Sequence, residues 1–174
     1  MMPREKTGKK VFVAMSGGVD SSVAAALLQE QGYPLVGVTM RLPEPDELKR
    51  TRNIAFSSAS PPAYMTDARF VADTLGIPHV VVDVRQIFQE RIVEYFCAEY
   101  RAGRTPNPCV VCNSQIKFGV LFEHARQYGA RLLATGHYVR KVYRQETGRY
   151  ALQASDNTAK DQSYFLYRLT QEQL

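Results

Sequence analysis

The feature that most constrains the fold is a repeated alternation of short apolar runs with longer segments of helical character. Four apolar runs are short enough to be buried parallel strands: residues 10–15, 35–40, 80–84 and 132–135. Between them lie segments with the apolar spacing of helices: residues 23–28, 67–75, 87–100 and 116–125. Strands that alternate with helices predict an α/β fold with a parallel sheet, helices on both faces and ligands at the carboxyl ends of the strands.

The remaining segments predict loops, a hairpin and a short last helix. Residues 41–62 have no periodicity and contain four prolines, so we expect a long loop there. Residues 102–112 are rich in glycine, proline and asparagine and also predict a loop. Residues 139–143 and 150–152 are suited to pair as a hairpin, and residues 162–169 predict a short helix.

The composition is that of an ordinary folded protein of 174 residues, 45% of them hydrophobic and 22% charged. This length suits one domain, and no apolar run approaches the roughly 20 residues that a membrane-spanning helix needs. The net charge of +5 allows a polyanionic partner without identifying one. The N-terminus lacks the apolar core of a signal peptide, and the odd number of cysteines argues for reduced thiols. We therefore expect a cytoplasmic protein that has no membrane partner.

The turn between the first strand and the first helix, Ser16–Ser22, has the composition of a phosphate-binding loop. Gly17 and Gly18 allow a tight turn that brings successive backbone N–H groups close to an anion. Serine hydroxyls offer further donors, and the helix N-terminus adds a favourable dipole. Asp20 has two interpretations, an orienting group for a magnesium–pyrophosphate complex or a cap of the helix. No lysine follows the glycines, so the loop is not GxxxxGK[ST], and an ordinary strand–helix turn is the alternative.

A second group of candidate residues lies in the loop 102–112, around the Cys-x-x-Cys pair Cys109 and Cys112. The prolines of this loop restrict the residues before them, which would hold Asn107 in a fixed pose. Cys112 directly precedes a helix predicted to start near Asn113, and a helix N-terminus lowers the pKa of a thiol. That favours a nucleophilic cysteine. The spacing also fits half a zinc site, part of an iron–sulfur site, a redox dithiol or two buried cysteines.

The remaining cysteine and the three histidines have different expected roles. Cys97 lies on the helix of residues 87–100 and is expected to pack in the core. His79, at the start of a strand, is expected to be structural, and His124 is expected to lie at the surface or to be half-buried. His137 follows a strand at its carboxyl end, where α/β proteins bind ligands, so it is the histidine best placed for function.

Together the motifs resemble those of a known family. SGGVDSS alone resembles the pyrophosphate loop of the N-type ATP pyrophosphatases. With GRTPNPCVVCNSQIKFG, ATGHY and KDQSYFLYRL, the chain resembles the bacterial-type tRNA-specific 2-thiouridylases from about Val11 to its last residue. The resemblance implies a Rossmann-like, adenine nucleotide alpha hydrolase-like domain over residues 1–174. It also implies a tRNA-uridine 2-sulfurtransferase, which uses ATP and Mg²⁺ to adenylate the C2 oxygen of a wobble uridine and then replaces that oxygen with persulfide sulfur.

The same resemblance implies roles for individual residues. ATP would be bound by Ala14, Met15, Ser16, Gly17, Gly18, Val19, Asp20, Ser21, Met40 and Gly136. The target base and the tRNA would be bound by Asn107, Pro108, Cys109, His137, Lys160, Asp161 and Gln162. Cys112 would be the catalytic nucleophile, with Cys109 as a second catalytic thiol. The implied partners are tRNA and a persulfide donor or relay protein.

Three departures from the family pattern change these expectations. Cys109 stands where many members have Asp, so it cannot transfer a proton as a carboxylate would, and an iron–sulfur site on Cys109 and Cys112 is the alternative. Ala59-Ser60 stands near the position where many members have two cysteines. The chain ends at Leu174, whereas members continue with a sulfur-carrying cysteine and further domains. We therefore expect residues 139–174 to begin the connection to those domains, and this piece to be limited to ATP binding and adenylation.

Two other functions stay open. One is an ATP pyrophosphatase or ligase that acts on a small molecule, and the other is a nucleotide- or RNA-binding module without catalysis. The cysteine loop separates the first from tRNA thiolation, because such ligases have no use for a thiol beside the activated oxygen. Zinc retained at full occupancy would favour the second.

Overall fold

A parallel sheet of four strands lies in the first of two units formed by the described residues, and it confirms the predicted α/β fold. The computed structural model describes residues 8–44 and 61–174. The first unit contains the chain up to Gln89 together with Glu123–Gly136, and the second contains Glu90–Phe122 and His137–Leu174. Most of the long loop predicted at residues 41–62, together with Ala59-Ser60, lies outside the described residues.

The strands of the sheet are β1 (Val11–Ala14), β2 (Leu35–Arg41), β3 (His79–Asp83) and β4 (Leu132–Ala134). Their order is β3-β2-β1-β4, and every pairing is parallel. Val13 of β1 pairs with Gly37 of β2 on one side and with Ala134 of β4 on the other. The chain thus goes from β1 to one side of the sheet and returns to the other side for β4. The carboxyl ends of β1 and β4 therefore form the point of strand reversal, where open α/β sheets bind ligands.

Helices of the first unit are α1 (Val19–Glu30), α2 (Ala63–Leu75) and α3 (Arg85–Phe88). The helix predicted at residues 67–75 begins earlier, at Ala63. Small side chains of these helices are fully buried in the core because they let the helix backbone approach the sheet: Ala25, Ala68 and Ala72. His79 has a structural role as predicted, since its Nε2 lies 2.8 Å from the buried hydroxyl of Thr39.

The other helical segments alternate between α and π geometry: π Gln89–Val93, α4 (Glu94–Arg101), α5 (Pro108–Cys112), π Asn113–Val120 and α6 (Leu121–Gln127). The predicted hairpin is confirmed. It consists of β5 (Arg140–Arg144) and β6 (Arg149–Gln153), with Tyr143 opposite Tyr150. Two short 3-10 turns follow, Thr158–Lys160 and Ser163–Leu166.

The last predicted helix, at residues 162–169, is wrong, because the structure has only a 3-10 turn there. The carboxylate of Asp161 accepts hydrogen bonds from the Ser163 hydroxyl at 2.6 Å and from the backbone N–H of Ser155 at 2.7 Å. Such side-chain-to-backbone bonds compete with the hydrogen bonds of a helix.

The prediction that Cys97 packs in the core is also wrong. Cys97 is exposed, and none of the residues of α4 is buried. The rings of Phe96 and Tyr100 pack edge to face on this helix with centroids 4.8 Å apart, although both side chains keep much of their surface exposed. The apolar spacing therefore predicted the helix correctly, but it did not predict that the residues of this helix are exposed or only partly buried.

Within residues 8–44 and 61–174, no helix combines the length and the apolar character required to cross a bilayer.

Candidate functional site

The first candidate site is the β1–α1 loop, Met15–Gly18, at the strand reversal of the sheet. This loop follows β1, and Thr135-Gly136 follows β4, so both segments leave the carboxyl ends of adjacent strands. A Cβ atom on Gly136 would lie 2.7 Å from the backbone nitrogen of Ser21, in the first turn of α1. Only glycine allows this close approach. The predicted ATP-binding residues Gly17, Gly18 and Gly136 are thus gathered at one place in the first unit.

Gly17 determines the backbone conformation of the loop. Its φ is +75°, in the left-handed region that side-chain-bearing residues rarely adopt. A Cβ atom there would also lie 2.7 Å from the carbonyl oxygen of Tyr64, in α2. The same tyrosine reaches β2, where its hydroxyl donates to the carbonyl of Met40 at 3.2 Å. Helix α2 therefore packs against the backbone of the loop and also holds the predicted adenosine contact, Met40.

The N-terminus of α1 is not capped by the side chain of its N-cap residue. Its N-cap is Gly18, which has no side chain to cap the first turn, so Asp20, the second residue of the helix, is not the cap. Ser21 is 5% exposed, and its hydroxyl accepts from the backbone N–H of Ser16 at 3.3 Å and donates to the carbonyl of Gly18 at 3.0 Å. The Ser22 hydroxyl donates to the same carbonyl at 2.9 Å. The first-turn N–H groups, which have no acceptor within a helix, are therefore the donors that an anion would meet.

The second candidate site is a cavity of about 320 Å³ inside the second unit, here called the thiol cavity. It is lined by Cys109, Cys112, Asn113, Lys117, His137, Gln162 and Phe165. Four of these seven were predicted from the sequence as site residues: Cys109, Cys112, His137 and Gln162. Asn107, Pro108, Lys160 and Asp161 are not among the lining residues.

The two thiols lie on a helix that begins earlier than predicted. Asn107 is the N-cap of α5, its Oδ1 accepts from the backbone N–H of Val110 at 3.2 Å, and Pro108 occupies the first turn. The prediction of a loop up to Cys112, with a helix beginning near Asn113, is therefore wrong for residues 108–112. Cys112 is the last residue of α5, so no helix N-terminus acts on its thiol.

The thiol of Cys112 is accordingly not activated by its own helix. Burial raises its pKa above the ordinary value, Lys117 opposes this increase, and the neighbouring Cys109 adds to it. The expectation of a pKa lowered by a helix N-terminus is wrong, because desolvation disfavours the charged thiolate. A cation in the cavity is the group that favours the thiolate.

His137 faces this cavity as a neutral imidazole at physiological pH. Burial, with a smaller contribution from Lys117, lowers its pKa to about 4. Its ring lies 6.1 Å from that of Phe118, centroid to centroid. A neutral imidazole can both donate and accept a hydrogen bond, which suits contact with a nucleobase.

The predicted tRNA-contacting residues 160–162 have different surroundings in the structure. Gln162 lines the cavity and is held by two hydrogen bonds with Tyr138: its Oε1 accepts from Tyr138 N–H at 3.0 Å, and its own N–H donates to the Tyr138 carbonyl at 2.8 Å. The ammonium of Lys160 lies 5.1 Å from the centre of the Tyr138 ring. Asp161 holds the turn through Ser155 and Ser163.

Comparison with known proteins decides the family. The family model described as the tRNA methyl transferase HUP domain matches residues 9–174. The chain belongs to this family. Among its curated relatives is "tRNA-specific 2-thiouridylase MnmA 2" of Thermoanaerobacter sp. (strain X514), 54% identical over 168 residues. Another is "tRNA-specific 2-thiouridylase MnmA" of Clostridioides difficile (strain 630), 48% identical over 166 residues. Each match covers 95% of the chain but 45% of the relative, so the chain spans about half the length of these relatives.

Solved structures resemble this HUP domain more distantly. One is the structure titled as that of a predicted subunit of tRNA methyltransferase from Methanocaldococcus jannaschii, with a TM-score of 0.48 and 23% identity. The match covers 73% of this chain and 53% of that protein.

Two residues that line the thiol cavity were not singled out from the sequence. Lys117 is its only cationic lining residue. Asn113 is 3% exposed, and its Nδ2 donates to the carbonyl of Phe165 at 3.1 Å, while its buried Oδ1 has no hydrogen-bond partner among the described residues. Both lie inside the motif GRTPNPCVVCNSQIKFG, so the motif was a signal, but the spacing alone did not place them beside Cys112.

The cavity does not by itself supply the ligands of a zinc or iron–sulfur site. Such sites need about four protein ligands, mostly thiolates or imidazoles. In the described part of the chain, no three His, Cys, Asp or Glu residues are grouped so that they could hold a metal ion. Cys109 and Cys112 are two ligands at most, so the residues present do not fit a cluster.

Proposed function

We propose that this chain is the ATP-binding and uridine-activating part of a tRNA 2-thiouridylase, acting in the cytoplasm on tRNA. The observation that carries the proposal is the thiol cavity, in which Cys112 and Cys109 lie together with a neutral His137. Two thiols beside a hydrogen-bonding imidazole suit sulfur transfer to a heterocycle, and they have no role in methyl transfer or in ligation of a small acid. The names of the curated relatives support the same reaction.

The β1–α1 loop is the proposed site for the phosphates of ATP. The first-turn N–H groups of α1 would donate to phosphate oxygens, and the helix dipole favours the negative charge of those oxygens. Asp20, within that first turn, would orient Mg²⁺ on the phosphates. In the proposed reaction the C2 oxygen of uridine attacks the α-phosphorus and pyrophosphate leaves.

The thiol cavity is the proposed site for the target uracil and the incoming sulfur. Persulfide sulfur, brought by a donor or relay protein, would attack C2, and AMP would leave with the former C2 oxygen. This attack links the donor cysteine to C2 through an S–S bond. The thiolate of Cys112, the proposed nucleophile, would then attack the donor cysteine's sulfur and break that S–S bond, which leaves 2-thiouridine and a disulfide between Cys112 and the donor cysteine. His137 and Gln162 would hydrogen-bond the base, Asn107 and Pro108 would contact it from the start of α5, and Lys160 would contact tRNA phosphate.

Pyrophosphate release and thiouridine formation, measured separately, test this proposal. The chain is incubated with Mg-ATP, a tRNA that carries a wobble uridine and a persulfide donor. We expect ATP binding and tRNA-dependent pyrophosphate release, and we expect Cys112→Ser to keep both while losing any 2-thiouridine. Cys97→Ser is the matched control, because Cys97 is exposed on α4 and does not line the cavity.

Two results would contradict the proposal. One is a folded chain that binds no ATP. The other is pyrophosphate release that ignores tRNA but responds to a small carboxylate, which would point to a ligase.

A further inference from the structure

The π-helical segment Asn113–Val120 determines which side chain accompanies Cys112 in the thiol cavity. An α-helix turns about 100° per residue, so residues five apart point roughly 140° away from each other. In π geometry the hydrogen bonds span five residues, and side chains five apart return toward the same side. Cys112, the last residue of α5, directly precedes this segment in a continuous helix, and Lys117 is five residues later. Both line the cavity, as this geometry requires.

The cavity offers the ammonium of Lys117 no anion except a thiolate. Its titratable lining residues are Cys109, Cys112, Lys117 and His137, and no carboxylate is among them. Within residues 8–44 and 61–174, Lys117 forms no ion pair. Gln162, Asn113 and Phe165 complete the lining and are uncharged. A half-buried cation that faces two thiols and a neutral imidazole stabilises whichever thiol ionises.

We propose that Lys117 is a positioning residue that stabilises the thiolate of Cys112, and that the π turn exists at this point to bring the two side chains together. The thiol proton goes to solvent, and the ammonium remains charged throughout. The direction of the electrostatic effect agrees, because Lys117 lowers the pKa of Cys112 against the larger influence of burial. The meaning of this role for sulfur transfer rests on the proposed function, but the ionisation of the thiol needs neither tRNA nor ATP.

The test is the pH–rate profile for alkylation of Cys112 by iodoacetamide, followed on the whole chain by mass spectrometry of the peptide. In Lys117→Gln we expect the rate at pH 7 to fall roughly three- to tenfold and the profile to move to higher pH. Lys117→Arg keeps the charge and should restore most of the rate. Lys141→Gln is the matched control: it removes a positive charge from the same unit, but Lys141 contacts Tyr150 and the carbonyl of Leu174 instead.

Two outcomes overturn the inference. One is an unchanged Cys112 profile in Lys117→Gln. The other is an equal slowing in Lys117→Gln and Lys117→Arg, which would indicate a packing role without charge. Cys97 serves as an internal reference in every sample, and if Lys117→Gln does not fold, Lys117→Met takes its place.

The outcome is independent of the proposed function. A shifted Cys112 profile in a chain without tRNA-dependent pyrophosphate release would count against the proposed function alone. An unshifted profile in a chain with that activity would count against the role of Lys117 alone.

Discussion

The β1–α1 loop and the thiol cavity are built from different parts of the chain. The loop presents main-chain N–H groups: Gly17 and Gly18 have no side chains, and the hydroxyl of Ser21, in the first turn of α1, is bonded to the loop backbone. The cavity presents side chains, and its backbone is engaged in helix and turn hydrogen bonds. Ligand binding at the loop therefore depends on the space available to its backbone. The chemistry of the cavity depends on the charge and polarity of side chains that are partly buried.

This difference explains how the two sites should respond to mutation. An added methyl group is enough to disturb the loop, because the carbonyl oxygen of Tyr64 and the Cβ atom of Asp67, both in α2, lie within 3 Å of a Cβ atom on Gly17. In the cavity, changes of the same size matter less than changes of hydrogen-bonding capacity or charge. The following predictions test that contrast, from the largest expected effect to the smallest.

Gly17→Ala should produce the largest effect, a loss of ATP affinity of about a hundredfold or ~3 kcal/mol. The new methyl group would lie 2.7 Å from the Tyr64 carbonyl oxygen, so the loop or α2 must move. Gly32→Ala is the matched control, because Gly32 has a similar φ of +83° but nothing within 4 Å of its Cβ position. Both variants should lose about 1–2 kcal/mol of folding stability from the left-handed backbone.

Titration calorimetry with ATP on both variants separates the two contributions. Equal ATP affinities for Gly17→Ala and Gly32→Ala would contradict the role given to the close approach.

The sequence predicted the first unit better than the second, for a physical reason. The strands β1, β2, β3 and β4 and the phosphate-loop turn follow from apolar runs and glycines, which act locally. In the second unit, the start of α5 was missed although Asn107 and Pro108 are standard helix-start residues. The glycine and prolines around them gave a stronger loop signal.

The thiol cavity was predicted in part. Its thiols, His137 and Gln162 were found through their motifs, while Lys117 and Asn113 were not singled out. The position of Lys117 on the same side as Cys112 depends on the π geometry of Asn113–Val120, a rare geometry that the apolar pattern of the sequence did not predict. The burial that raises the pKa of Cys112 is likewise a property of the packed structure.

Substitutions of Asn113 should give the next largest effect. Two of them compare the burial of a charge with the removal of the polar atoms. Asn113→Asp replaces the Nδ2 donor with an oxygen that faces the Phe165 carbonyl and buries a charge, so we expect a loss of about 2–4 kcal/mol of folding stability. Asn113→Leu keeps the number and branching of the side-chain heavy atoms and removes the unpartnered Oδ1 together with the hydrogen bond. Its loss should be smaller, about 1–2 kcal/mol, because the Phe165 carbonyl loses its donor but no charge is buried.

Urea unfolding at neutral pH compares the two Asn113 variants. If Asp is tolerated as well as Leu, the cavity is wetter around Asn113 than its 3% exposure indicates, and the contrast between the two sites weakens.

His137 gives the smallest predicted effect, a dependence of stability on pH. Burial lowers its pKa from 6.5 to about 4, so between these values the unfolded chain binds a proton that the folded chain does not. Stability is therefore fully present above pH 6.5 and falls as the pH drops toward 4. Because the ring is only partly buried, the contribution should be about 2 kcal/mol, less than the full shift implies. In His137→Gln this part of the slope should disappear, whereas His124→Gln should retain it. Urea unfolding at several pH values between 4.5 and 7 measures the slope, and an identical slope in His137→Gln would mean that the imidazole is already solvated in the folded chain.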